Sequence, residues 1–335
     1  MSHVTKEALS TARSRSNPFE RIGTSVFMNR AAVKLAALDA TFGLTQKEDA
    51  TSTFTFADLC GGPGGFTEYL LWRIHSWGET AHGYGITLQS TEHDEVNWQL
   101  DKFKQLAPEG SFTIVEGMDG TGDLYKEANI RHFETMVTES NHCKEGVDLV
   151  VADGGFDFSG AEGEQEIVAY RLILCEITTM LTCLKQGGHF VCKFFDMLSQ
   201  STVSLVWLLY QLFDEVCITK PLSSRPANAE RYIVCKGLVH KRPAELVTKL
   251  LQMIQRVFNT TNNIKAFSLI ERSVMEEDEE FIDYVQMRNM KIAMKQTEAL
   301  ELMNQYIQNP EASPSYDQEQ IRRHLLNEWR LPSPN

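Results

Sequence analysis

Apolar residues run along this chain in two rhythms. Consecutive or alternating apolar positions predict strands at 54–60 (FTFADLC), 81–88 (AHGYGITL), 112–117 (FTIVEG), 147–153 (VDLVVAD), 188–195 (GHFVCKFF), 215–220 (EVCITK) and 231–237 (RYIVCKG). Between them a three-to-four-residue period predicts helices at 29–44, 66–77, 125–137, 169–184 and 202–213, the first with Asn29 as its N-cap. Strands alternating with helices imply a mostly parallel sheet with helices on both faces, because each crossover must pack back on the sheet. The last two strands leave no room for a helix between them, so the final strand is expected to be antiparallel. The α/β pattern thus predicts seven strands. After about residue 238 strand signals stop, and helices are expected at 247–258, 295–307 and 318–329, the last two separated by the breaker-rich NPEASPSYD.

Composition narrows the reading. At 335 residues with 42% hydrophobic content, the chain can bury a large core. The longest apolar run, VSLVWLLYQLF, is too short to span a bilayer, and MSHVTKEALS lacks the apolar core of a secretory signal, so a soluble intracellular protein without membrane partners is expected. Seven scattered cysteines without a CxxC pair favour neither a disulfide framework nor a zinc site, and Cys175, Cys183 and Cys235 read as small core residues. A net charge of −13 argues against indiscriminate nucleic-acid binding, which draws on a broad positive field. The charge is polarised, however. Lys6, Arg13, Arg15, Arg21, Arg30 and Lys34 face only Glu7 and Glu20 in residues 1–34, whereas residues 276–280 read EEDEE, most simply a solvated acidic face.

The first predicted strand carries Asp58 near its end and runs into CGGPGGF, residues Cys60, Gly61, Gly62, Pro63, Gly64, Gly65 and Phe66. A strand that ends in a glycine turn and opens a helix lets backbone amides approach a polar ligand. A dinucleotide site would need a third glycine where Thr67 stands and an acid about 20 residues on, but the second strand ends in Thr87, Leu88 and Gln89. The spacing therefore favours S-adenosyl-L-methionine over NAD. A turn holding nothing would need only two glycines.

Ligands of open α/β sheets sit outside the carboxyl ends of the parallel strands. Asp153 ends its strand there, Lys193 lies late in GHFVCKFF, and Glu230 precedes RYIVCKG, an antiparallel strand whose beginning lies at this same edge. Lys34, on the helix before the first strand, can reach over it. Singly, Lys34 reads as a solvated lysine, Asp153 as a helix cap and Glu230 as a surface ion-pair partner. A lysine inside FVCKFF, by contrast, needs a polar partner or a ligand if buried.

Lys34, Asp153, Lys193 and Glu230 match in order and context the K-D-K-E tetrad of FtsJ-like ribose 2′-O-methyltransferases. The strings ARSRSNPFE, FMNRAAVKLA, ADLCGGPGGFTEYLLWR, VADGGF, GGHFVCKFFD and SSRPANAERYIVCKG resemble more narrowly the eukaryotic cap-specific mRNA (nucleoside-2′-O-)-methyltransferases of type 1, from about Ala12 to Leu238, with LLNEWRLP similar to the end of their catalytic region. The resemblance implies a Rossmann-like methyltransferase fold and transfer of methyl from S-adenosyl-L-methionine to the ribose 2′-OH of the first transcribed nucleotide of m7GpppN-capped mRNA. It implies catalytic roles for the tetrad, without a metal. Asn29, Asp58, Cys60 to Phe66, Asp123 and Leu124 would hold the cofactor, the GDL of GTGDLY replacing the acid missing from the second strand. Arg13, the stretch Glu162, Gly163, Glu164 and Gln165, and Asn228 would touch the capped RNA, although DFSGAEGEQ drifts from the family's wording. A basic segment over 1–28, a catalytic domain over 29–238 and a helical extension over 239–335 packed on it follow, as do a monomer, nuclear location and association with RNA polymerase II or the capping machinery. A relative acting on rRNA or tRNA would share the tetrad, and an inactive RNA-binding relative would share the fold. The intact turn and all four tetrad residues speak against the inactive form.

Overall fold

The computed structural model describes residues 4–23, 25–47, 52–155, 164–259 and 268–333. Seven strands, β1 (Phe54–Leu59), β2 (Ala81–Ile86), β3 (Phe112–Ile114), β4 (Val147–Ala152), β5 (Leu184–Phe195), β6 (Phe213–Thr219) and β7 (Glu230–Leu238), form one sheet in the order β3-β2-β1-β4-β5-β7-β6. The first five are parallel, while β7 runs antiparallel to both β5 and β6, as expected for a strand pair joined without a helix.

Helices cover both faces: α1 (Lys6–Ser16), α2 (Arg30–Phe42), α3 (Gly65–Ser76), α4 (Glu127–Thr138), α5 (Gln165–Cys183), α6 (Gln200–Leu212), α7 (Ala244–Asn259), α8 (Arg272–Glu276), α9 (Glu279–Gln308) and α10 (Gln318–Glu328). Strand periodicity sorts the core into two layers. Phe54, Phe56, Leu149, Val151, Val191, Tyr232 and Val234 face one layer, with Val33 and Leu35 of α2, Tyr69 and Leu70 of α3, and Leu325 of α10. Ala57, Leu59, Val150, Ala152, Cys192, Phe194 and Ile233 face the other, with residues of α4, α5, α6, α7 and α9. Lys193, two residues beyond Val191, therefore shares the α2 and α3 side. Cys175, Cys183 and Cys235 are free and buried, as read from the sequence.

The structure corrects several predicted elements. The strand expected from 188 begins at Leu184, continuous with α5, and the strand expected over 112–117 is only Phe112–Ile114. Helix α1 was not anticipated. The largest correction is α9, which begins at Glu279 rather than 295. Asp278 caps it, its carboxylate accepting from the Phe281 amide at 3.0 Å, and Glu279 and Glu280 occupy the first turn, where negative charge meets the positive end of the helix dipole. The acidic run is thus a helix start. No helix among the described residues is long and apolar enough to cross a membrane.

Candidate active site

The glycine turn joins β1 to α3. Cys60 (φ 55°) and Gly64 (φ 119°) adopt left-handed backbone conformations, and the Gly62–Pro63 peptide is cis. What excludes side chains here is first of all the protein itself. A Cβ on Gly61 would lie 2.4 Å from the Asp58 carboxyl, one on Gly62 2.1 Å from the Val96 carbonyl, and one on Gly65 2.1 Å from Asn29 Oδ1. Asn29 meanwhile caps α2, accepting from the Ala31 amide at 3.0 Å. Thr87, at the end of β2, links the turn to the second predicted cofactor segment: its hydroxyl accepts from the Gly62 amide at 3.2 Å, and its carbonyl abuts Gly122 so closely that a Cβ there would lie at 1.8 Å. Asp123 and Leu124 follow directly, Asp123 accepting from the Tyr125 amide at 2.9 Å and Leu124 buried.

Asp58 is wholly buried beneath this turn. Thr67 donates to its Oδ2 at 2.7 Å, while Oδ1 has no partner among the described residues. Burial pushes the carboxyl up to about 7, against the Thr67 hydrogen bond.

The four tetrad residues converge at the carboxyl edge of the sheet. Register places Lys193 opposite Tyr232 and Phe195 opposite Glu230. Lys193 Nζ lies 3.1 Å from Asp153 Oδ1 and donates to the Asp153 carbonyl at 3.0 Å. Lys34 Nζ donates to Glu230 Oε2 at 2.7 Å, and Ser224 Oγ donates to Glu230 Oε1 at 2.7 Å. Tyr232 joins the two pairs, its hydroxyl donating to Asp153 Oδ1 at 2.6 Å with Lys34 Nζ 3.5 Å away. Burial works against the ammonium of Lys193, but the Asp153 and Glu230 carboxylates outweigh it and hold the pKa above the ordinary lysine value. Burial likewise works to raise Glu230, yet Lys34 and Lys193 keep it well below the usual carboxylate range. Burial, with Asp153 and Glu230 beside it, drives the Tyr232 phenol far up, so it remains a neutral donor.

Sequence reasoning missed Tyr232, Ser224, Thr87 and Glu176. Two-residue spacing from Glu230 along β7 could have found Tyr232. Glu176 lies inside the apolar face of α5 and gave no signal. Its carboxyl accepts from the Gly154 amide at 3.2 Å and the Cys192 thiol at 3.4 Å, tying the ends of β4 and β5 together, and burial pushes it up to about 7.

The FtsJ-like methyltransferase profile matches residues 27–238. This chain belongs to the FtsJ-like methyltransferase family. Cap-specific mRNA (nucleoside-2′-O-)-methyltransferase 1 of Dictyostelium discoideum is 37% identical over 96% of this chain and 43% of its own length. The proteins of that name from Homo sapiens and Drosophila melanogaster are each 36% identical, over 97% and 96% of this chain and 40% and 41% of their own lengths. The chain thus spans about two fifths of the length of the curated relatives it matches.

The remaining predicted residues of this FtsJ-like chain lie outside the charged cluster. Arg13 is exposed on α1. Its segment is fastened to the β6–β7 connection through Glu20, which takes Asn17 Nδ2 at 2.7 Å, Arg30 at 3.2 Å and Arg225 at 3.3 Å, while Arg30 also donates to the Ser223 carbonyl. Asn228 is exposed on that same connection, two residues before Glu230. Glu162 and Gly163 lie outside the described residues; Glu164 and Gln165 open α5, where the next residue, Glu166, accepts from the Leu198 and Ser199 amides.

Proposed function

We propose that this chain transfers a methyl group from S-adenosyl-L-methionine to the ribose 2′-OH of the first transcribed nucleotide of m7GpppN-capped mRNA. The observation that carries the reading is the single buried network of Lys34, Asp153, Lys193 and Glu230 at the sheet edge where the glycine turn also lies. The similarity to cap-specific enzymes over nearly the whole chain supports the capped substrate. The residues fit the cofactor: a cationic group arriving at the turn would supply the partner that Asp58 Oδ1 lacks and return that carboxyl to its charged form. Cys60 to Phe66, with Asn29, Asp123 and Leu124, would hold it, and when bound it brings a methyl already activated on a sulfonium.

A ribose hydroxyl is a weak nucleophile, so positioning supplies much of the rate, with reacting atoms brought to about 3 to 3.5 Å in line. Lys193 enters as an ammonium that orients the 2′-oxygen and stabilises negative charge on it, while the hydroxyl proton leaves late, to water, as the oxygen takes the methyl. Asp153 holds Lys193, and Tyr232 and Lys34 carry that order to Glu230. Because Lys193 acts while charged, the methylation rate at saturating substrate is expected to stay flat from pH 7 to 9. A tenfold rise per pH unit would mean instead that a neutral lysine acts as base.

The deciding experiment compares methyl incorporation into capped and uncapped forms of one short RNA, with the product mapped by nuclease digestion. Methylation confined to the first nucleotide of the capped RNA is expected; equal methylation of both forms would point to rRNA or tRNA as acceptor. Work on nascent mRNA would place the protein in the nucleus, beside RNA polymerase II or the capping enzymes, acting as a monomer.

A further inference from the structure

Lys220 follows β6 directly, and sequence reading assigned it nothing. Its Nζ donates to the Asn228 carbonyl at 2.9 Å, to Asn228 Oδ1 at 2.5 Å and to the Glu230 carbonyl at 2.5 Å. An ammonium carries three protons and accepts none, so three donors meet three acceptors. The chemistry also settles which way the Asn228 amide is turned. Only its oxygen can face a lysine, and its NH2 therefore points away, on an exposed residue, with no partner among the described residues.

We propose that Lys220 is a positioning residue that locks the Asn228 amide with its NH2 outward, so that this connection presents donors and selects a hydrogen-bond acceptor on the capped end of the RNA. The inference rests on the functional reading above in taking Asn228 as a substrate contact. By holding the Glu230 carbonyl as well, Lys220 sets the substrate contact and the tetrad carboxylate from one atom. The clamp is complete only with the ammonium form. Burial lowers the pKa of Lys220 to about 7, with Arg231 and Lys34 acting in the same direction and Glu230 and Asp196 opposing. Loss of the third proton above neutrality frees the amide to turn over, so the KM for capped RNA should rise between pH 6 and 8.5.

The test uses the whole chain and an m7GpppG-capped oligonucleotide. Lys220→Met should raise the KM for capped RNA roughly tenfold, the size of a lost charge-assisted hydrogen bond, with the Kd for S-adenosyl-L-methionine unchanged. Lys220→Arg should restore most of the loss. Asn228→Asp, which removes the outward donors, should be worse than Asn228→Ala, and Lys220→Met combined with Asn228→Ala should raise the KM no further than Asn228→Ala alone, the loss of the Glu230 carbonyl contact appearing in kcat. An unchanged KM in Lys220→Met, additive losses in the double variant, or a fully tolerated Asn228→Asp would overturn the proposal. If the wild-type protein binds no capped RNA, the functional reading fails separately, and selective 15N-asparagine labelling decides the positioning role. A rigid Asn228 NH2 pair that becomes mobile in Lys220→Met upholds the clamp, and an unaltered pair refutes it.

Discussion

Two lysine–aspartate clusters sit at opposite ends of the same strands. At the amino end, Asp148 of β4 accepts from the Thr55 amide at 2.7 Å, the Thr55 hydroxyl at 3.0 Å and Lys47 at 3.2 Å on one oxygen, and pairs with Lys185 through the other. At the carboxyl end, Asp153 receives Tyr232 and Lys193 on Oδ1, and Oδ2 has no partner among the described residues. Lys193 donates to the Asp153 carbonyl and pairs with its Oδ1. The residue types match, but the first cluster is closed by the fold and the second keeps bonding capacity in reserve. A saturated carboxylate fastens strands together, whereas one with an unused oxygen beside a charged lysine can take part in chemistry.

Substitutions should separate the two clusters. Lys193→Ala is expected to reduce methyl transfer by roughly 10²- to 10⁴-fold while leaving cofactor affinity intact by calorimetry, and Asp148→Ala should leave the same rate constant unchanged. A Lys193→Ala enzyme that turns over normally would remove the distinction.

Stability draws on both clusters. Removing Asp148 leaves Lys47 and Lys185 without their shared partner and should cost about 3 kcal/mol in urea unfolding, and Lys193→Met should cost a comparable amount, because the fold holds that ammonium between two carboxylates. Burial raises the Asp148 pKa, but Lys185 and the Thr55 amide hold it below its ordinary value. Its contribution is therefore present above the unfolded pKa near 3.8 and is lost as pH falls through the folded one.

Asp58 gives a smaller effect of opposite sign. Its folded pKa of about 7 exceeds the unfolded 3.8, so between those values the folded chain keeps a proton that the unfolded chain has lost. Stability then falls as pH rises from about 4 to 7. Asp58→Asn, measured without cofactor, should raise Tm over wild type at pH 8, with the gap closing toward pH 4, and should weaken S-adenosyl-L-methionine binding. A variant that binds cofactor normally would rule out the role given to Oδ1. The smallest change is expected from the exposed Arg13: Arg13→Ala should raise the KM for capped RNA about threefold at low salt and leave the cofactor Kd alone.

Much of the candidate site at the carboxyl edge was legible beforehand because local chemistry and strand periodicity agree there. Glycines at 61, 62, 64 and 65 and a lysine inside an apolar strand each break a local rule, and such breaks mark functional sites. Tyr232, Glu176 and Lys220 break none. A tyrosine in a strand, a glutamate in a helix and a lysine after a strand are ordinary residues until register and packing supply their partners. Helix α9 was misjudged for a related reason: EEDEE reads as solvated charge, and only its place before an amphipathic run makes it a helix start.

The sequence by itself determined the order of the strands and of the helices between them, the antiparallel last strand, the glycine turn and the identity of four charged residues, because these depend on short-range sterics, periodicity and topology. Tertiary structure alone decided what those charges do to one another. Whether Lys193 is held as an ammonium depends on a contest between burial and two carboxylates, Asp153 just past β4 and Glu230 at the start of β7. Whether Asn228 presents donors depends on a lysine eight residues away in sequence, across the β6–β7 connection. Electrostatic energy depends on distance and local dielectric, and neither exists until the sheet has brought these groups together.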